Sequence, residues 1–105
     1  MRNLSNLKPD ECLMIASLVE PDKDWKLVES KFSWNGFDMI YISDIDGIHT
    51  SYIFQIDYRF NTEMSLKSRF RLYDGIDEYP ISNLQLGLIT NYLDSIGVDY
   101  INNNL

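Results

Sequence analysis

The sequence predicts an α+β fold, a two-layer domain in which a four-stranded antiparallel meander is flanked by an N-terminal and a C-terminal helix packed on one face. Three observations carry this. Apolar residues recur at helical spacing near both ends of the chain, β-branched and aromatic residues dominate between them, and two Gly-containing dipeptides sit there at hairpin positions. The 105 residues fit a single domain, with residues 102–105 expected to fray.

The first helix is expected over residues 9–20. Pro9 suits a first helical position, Asp10 and Glu11 sit where the helix dipole favours anions, and Pro21 stops the element. Cys12, Ile15, Leu18 and Val19 form its apolar stripe. The second helix opens on a capping box, Ser82 with Gln85, with Ile81 and Leu86 as a hydrophobic staple. Leu86, Ile89, Leu93 and Ile96 then recur on one face, and Gly97 is placed to end it. Gly87, inside this helix, reads as a point of close approach to the sheet.

Two turns set the strand register. Asn35-Gly36 and Asp46-Gly47 are the preferred pairs for two-residue type I′ hairpins. The first would pair Trp34 with Phe37 and Phe32 with Met39. The second would pair Tyr41 with Tyr52, Met39 with Phe54, Ile40 with Ile53 and Asp44 with His49. A fourth strand is expected over residues 66–73. Alternation then assigns Phe32, Trp34, Phe37, Met39, Tyr41, Ile45, Ile48, Tyr52, Phe54, Ile56, Phe70 and Leu72 to the core face. The other face is polar, except for Ile40, Ile42 and Ile53.

Nine Lys and Arg against sixteen Asp and Glu leave a net charge of −7, which argues against direct binding to nucleic acid or an anionic membrane. One cysteine excludes a disulfide framework and fits a reducing, cytoplasmic setting; one histidine excludes a two-His metal motif. No signal peptide or membrane span is expected, because the apolar stretch at residues 12–19 is short and flanked by acids.

The charge is segregated. Residues 32–58 hold four acids and residues 72–105 hold five, with no Lys or Arg in either. Between them Lys67, Arg69 and Arg71 alternate to one side with Arg59 nearby, a stripe suited to an anion or an acidic partner. Its plainer reading is local neutralisation, with Asp57 across the hairpin. Asp38, Asp44, Asp74, Asp77 and Glu78, with Tyr73 and Tyr79, form an acidic, tyrosine-bearing surface. Its plainer reading is a solvated face that keeps the protein soluble.

An apolar centre (Ile40, Ile42, Ile53) inside a charged rim is how partner-binding surfaces are built, though β-branched residues also simply favour strands. Asp44, His49 and Ser51 do not make a catalytic triad, because same-face neighbours two apart on a strand are about 6.5–7 Å apart. Asp44, Asp46 and Asp57 lack the later ligands of a calcium loop. Cys12 reads as a small buried hydrophobe. The expected function is therefore a small non-enzymatic protein, without cofactor or metal, that binds a macromolecular partner through a surface patch. Its sharpest form is an inhibitor or nucleic-acid mimic acting on a basic nucleic-acid-binding protein, such as a nuclease or defence complex of the anti-restriction or anti-CRISPR type. The alternative is a self-associating structural or chaperone-like subunit, a homodimer through the open sheet face.

Overall fold

The structure is a computed structural model that describes residues 2–19, 25–59 and 63–100. The expected helix stop at Pro21, the frayed tail, the loop start at Asn61 and the side chain of Ile45 lie outside the described residues. The elements are α1 (Pro9–Val19), β1 (Trp25–Ser33), β2 (Gly36–Ile45), β3 (Ile48–Asp57), β4 (Phe70–Tyr73), β5 (Glu78–Pro80) and α2 (Asn83–Ser95). All five strands are antiparallel and lie in sequence order. The fold class is as expected, but the sheet has five strands rather than four. The missed strand, β5, is three residues long and ends on Pro80, which offers no N–H to a ladder.

The second turn sets the register as expected. Asp46 and Gly47 take φ of 52° and 76°, and β2 and β3 pair from Ile45↔Ile48 to Gly36↔Asp57 through Ile40↔Ile53. The first turn does not. Ser33 pairs with Gly36 and Phe32 with Phe37, so the loop is Trp34-Asn35 and Gly36 belongs to β2. A Cβ on Gly36 would lie 1.9 Å from the Ile56 carbonyl oxygen. This glycine permits two backbones to touch, and the turn forms one residue earlier. A bulge at Val28 shifts the pairing again and reverses the alternation, bringing Trp25 to the core side. There it stacks on Tyr52, with ring centroids 4.2 Å apart.

Phe37, Met39, Tyr41, Phe54, Ile56, Phe70 and Leu72 are buried on one face of the sheet. They share a core with Cys12, Ile15, Ala16 and Val19 of α1 and with Ile89 and Leu93 of α2. The helices do not lie evenly over the meander: α1 packs on β2 and on α2, and α2 is apposed mainly to α1. Three residues expected in the core are consequently uncovered: Phe32, Trp34 and Ile48 are 61%, 82% and 68% exposed. The Ser82–Gln85 capping box forms as expected, and Gln85 Nε2 also reaches the Val19 carbonyl at the end of α1 (3.3 Å). Gly87 approaches nothing, since a Cβ there would have no neighbour within 4 Å.

The N-terminal segment is tied to both helices by Arg2. Its guanidinium forms an ion pair with Glu11 and donates to the Ile96 and Asn6 carbonyls, both at 3.2 Å. The Glu11 carboxylate also accepts the Lys8 N–H (2.9 Å). The Arg2 hydrogen bonds hold this carboxyl well below its ordinary value of 4.5, at about 2.

A depressed folded-state pKa stabilises the fold above the unfolded value and is lost as pH falls through the folded one. Glu11→Gln should therefore unfold at lower denaturant than wild type at neutral pH. The gap should close between pH 4.5 and about 2, as read from urea melts across that range. In the same assay Gly36→Ala should cost about 3 kcal/mol through backbone overlap. Gly87→Ala, on an exposed helix face, should add about 0.5–1 kcal/mol.

Candidate functional site

The second face of the sheet is built in rows across β2, β3 and β4. At the hairpin tip, exposed Asp44 and His49 form a cross-strand pair, with His49 Nδ1 2.5 Å from Asp44 Oδ1. Ile42 follows opposite Ser51. The next row is apolar across three strands: Ile40 opposite Ile53, and Ile53 opposite Tyr73. All three isoleucines are half-buried, as is Tyr73. On the β1 side this apolar row meets Glu29, and Lys26 stands opposite Ile42.

The following row is polar and closed on itself. Gln55, 7% exposed, donates to Asp38 Oδ1 (2.7 Å) and to Asn35 Oδ1 (3.2 Å), and accepts from the Tyr73 hydroxyl (2.9 Å). Burial raises the Tyr73 hydroxyl pKa, which keeps it a donor. Asp38 and Tyr73, both expected as contact residues, therefore also brace the sheet face from within.

Beyond it lies Asp57, fully buried. Burial alone would raise its carboxyl, but the Arg59 side chain and backbone N–H overcome this and lower it. Arg59 donates to both carboxylate oxygens, with Nη2 2.6 Å from Oδ2, and its N–H donates to Oδ1 at 3.0 Å. The same guanidinium lies over the Trp34 ring, 5.0 Å from its centroid. A buried carboxylate thus fixes a cation, and the cation supports an indole whose surface is otherwise in water.

The basic stripe needs correction. Residues 67–69 form a 3-10 turn and β4 begins only at Phe70, so strict alternation does not apply. Arg69 is 1% exposed and turned inward, its Nη1 donating to the Asp57 and Arg59 carbonyls at 3.2 and 2.8 Å. Burial pulls its pKa below the ordinary arginine value. Lys67 and Arg71 remain half-buried at the surface.

The acidic loop is more self-contained than its composition suggests. Asp74 accepts the N–H groups of Ile76 (3.0 Å) and Asp77 (2.9 Å) and the Tyr79 hydroxyl (2.6 Å). These bonds lower the Asp74 carboxyl and push Tyr79 up to about 12. Asp77 and Glu78 are exposed, and Ile76 between them and Asp74 is 92% exposed. Because β4 runs antiparallel to β3, this loop and the Asp46-Gly47 turn lie toward the same end of the sheet.

Other chemistry does not assemble. Asp57 pairs with Gly36 at the far end of the hairpin from Asp44 and Asp46, so those three do not converge. Among the described residues no group of three or more His, Cys, Asp or Glu could hold a metal ion, and no hydrogen bond joins Ser51 to His49. Cys12 is buried, which pushes its thiol up to about 12. No described helix is long and apolar enough to cross a membrane. Trp34 is among the residues that sequence reasoning misplaced; its signal is its place in the Trp34-Asn35 loop that ends β1.

Asp57→Asn should destabilise the fold by about 1–3 kcal/mol, because it makes the charge-assisted bonds from Arg59 neutral and places an amide donor against the guanidinium in a buried site. Arg59→Ala should alter the emission of Trp34 while leaving Trp25 in place, which comparison with Trp34→Phe by fluorescence separates. No protein-family model, curated protein or solved structure matches the chain.

Proposed function

We propose that this chain is a small non-enzymatic binding protein that acts by covering the surface of a macromolecular partner. The observation that carries this reading is the row Ile40–Ile53–Tyr73. It is a contiguous apolar centre on the sheet face opposite the core, with charged residues on each side. Ile42 extends the row toward the hairpin tip, where Asp44 and Asp46 are exposed, and Asp77 and Glu78 lie toward the same end. These acids give the contact side its sign, so the partner is a protein with a basic surface. A nuclease or defence complex whose nucleic-acid groove the acids would occupy is the most specific form of the proposal. Complementarity of this kind acts mainly on the association rate and falls with salt.

A second reading is self-association through the same face. It is supported by the mixed charge of its rim, where Lys26 and Glu29 on one side and Arg71 and Glu78 on the other offer both signs to a second copy. In that case the acids serve solubility rather than recognition.

Ile53→Asp tests both. Light scattering should show a monomer for wild type and variant alike, and capture of a partner from a lysate of the native host should weaken at least tenfold, roughly, with the variant. Capture should also fall at high salt. A wild-type dimer that becomes monomeric on Ile53→Asp favours self-association. Unchanged capture by a variant whose circular dichroism matches wild type overturns the sheet-face reading.

A further inference from the structure

The segment leading into β4 and the short strand β5 enclose a shallow depression of about 430 Å³ whose polar lining is Ser65, Lys67, Ser68, Arg71 and Glu78. Its two cations differ from Arg2 and Arg59. Arg2 grips a carboxylate with two hydrogen bonds and Arg59 with three. Lys67 and Arg71 are instead held by neutral oxygens: Lys67 Nζ donates to Asn83 Oδ1 (3.1 Å) and Arg71 Nε to the Ser68 carbonyl (3.1 Å). The carboxylates nearest Arg71 are Asp57 and Glu78, both at 3.9 Å, beyond hydrogen-bond reach. Lys67 thus makes no ion pair among the described residues, while Arg71 makes two long ones, to Asp57 and Glu78.

The serines complete a donor set. Ser65 and Ser68 share one hydroxyl–hydroxyl bond of 2.7 Å, and Ser65 Oγ also accepts the Ser68 N–H at 3.2 Å. A single bond between two hydroxyls uses one of their two protons, so one remains to donate to a ligand. A guanidinium fork, an ammonium and a hydroxyl around one depression match the needs of a tetrahedral oxyanion. Arginine can engage two oxygens at once, and lysine adds a point charge.

We propose that this depression is a binding site for a phosphate-type oxyanion, held between Lys67 and Arg71 with a hydroxyl of the Ser65–Ser68 pair. The site shares Arg71 and Glu78 with the rim of the sheet face but no residue with the isoleucine row, so phosphate binding and partner capture can fail separately. Glu78, 58% exposed in its side chain, is the one acid in the lining. It repels a bound anion and so sets an upper limit on affinity that its removal relieves.

The test is titration of the 15N-labelled chain with inorganic phosphate at constant ionic strength, with chloride as the control. Amide shifts should saturate with phosphate, centre on residues 65–71 and 78–80, and be absent with chloride. Arg71→Gln should weaken binding about tenfold or more, and Glu78→Gln should strengthen it about threefold. Lys67→Gln, whose side chain bonds Asn83 alone among the described residues, keeps the test valid if Arg71→Gln disturbs the neighbouring Asp57. O-phosphoserine, as a small phosphomonoester, identifies the source of the ligand: tighter binding than inorganic phosphate assigns the site to an ester, and equal or weaker binding assigns it to the free ion. Shifts that never saturate, that scatter over all cationic residues, or that survive Lys67→Gln unchanged overturn the proposal.

Discussion

The register between β2 and β3 is the constraint on which the rest of the structure depends. The Asp46-Gly47 turn can close with φ positive at both positions, and its twist matches that of the strands it joins. From that one turn, alternation assigns Met39, Tyr41, Phe54 and Ile56 to the core and Ile40, Ile42, Ile53 and Gln55 to the opposite face. A slip of one residue would exchange the two sets, placing Gln55 and Asp57 against the helices and Phe54 in water. β4 then has one way to add to β3 that keeps Phe70 and Leu72 inside, and β5 follows by a short turn closed on Asp74.

The other end of the sheet is held by charge rather than by a turn. Asp57 is buried among guanidinium groups, and its position opposite Gly36 joins β3 to the start of β2 where the two backbones nearly touch. Burying an ion is costly unless it is paired and hydrogen-bonded, and Asp57 meets that requirement through Arg59 and through its contact with Arg71. The arrangement leaves little freedom for Arg59, and therefore little for Trp34 stacked against it. The indole is exposed but held, which lowers the entropy lost when an exposed aromatic side chain meets another surface.

The parts of the fold legible in the sequence were those with local chemical signals. The capping box at Ser82, the type I′ turn at Asp46 and the stripe of α1 each need only neighbouring residues to be recognised. The parts that were not legible depend on contacts distant in the chain. Gly36 resembled a turn glycine, and only its overlap with Ile56 shows why it sits in a strand. Arg69 followed the period of a strand, but a 3-10 turn places it inside, where carbonyls of another segment receive it. The bulge at Val28 carries no residue signature, and β5 is too short to show a period. At the candidate site, the isoleucine row was legible because it inherits the correctly read hairpin. The basic stripe was not, because it relied on a strand that starts later.

The same distinction reshapes the meaning of the net charge of −7. Glu11, Asp57 and Asp74 carry formal charge but spend it on internal bonds, to Arg2, to Arg59 and to a loop's own N–H groups. Asp38 likewise accepts from Gln55. What faces outward is the remainder. Around the hairpin tip and the β4–β5 turn that remainder is acidic and flanked by exposed Ile48 and Ile76; beside β4 it is cationic through Lys67 and Arg71. In the proposed binding role, a field organised in this way would orient an approaching molecule before contact, and the apolar row would decide whether contact persists. Composition alone shows only the total, and the pairing pattern determines which charges act outward.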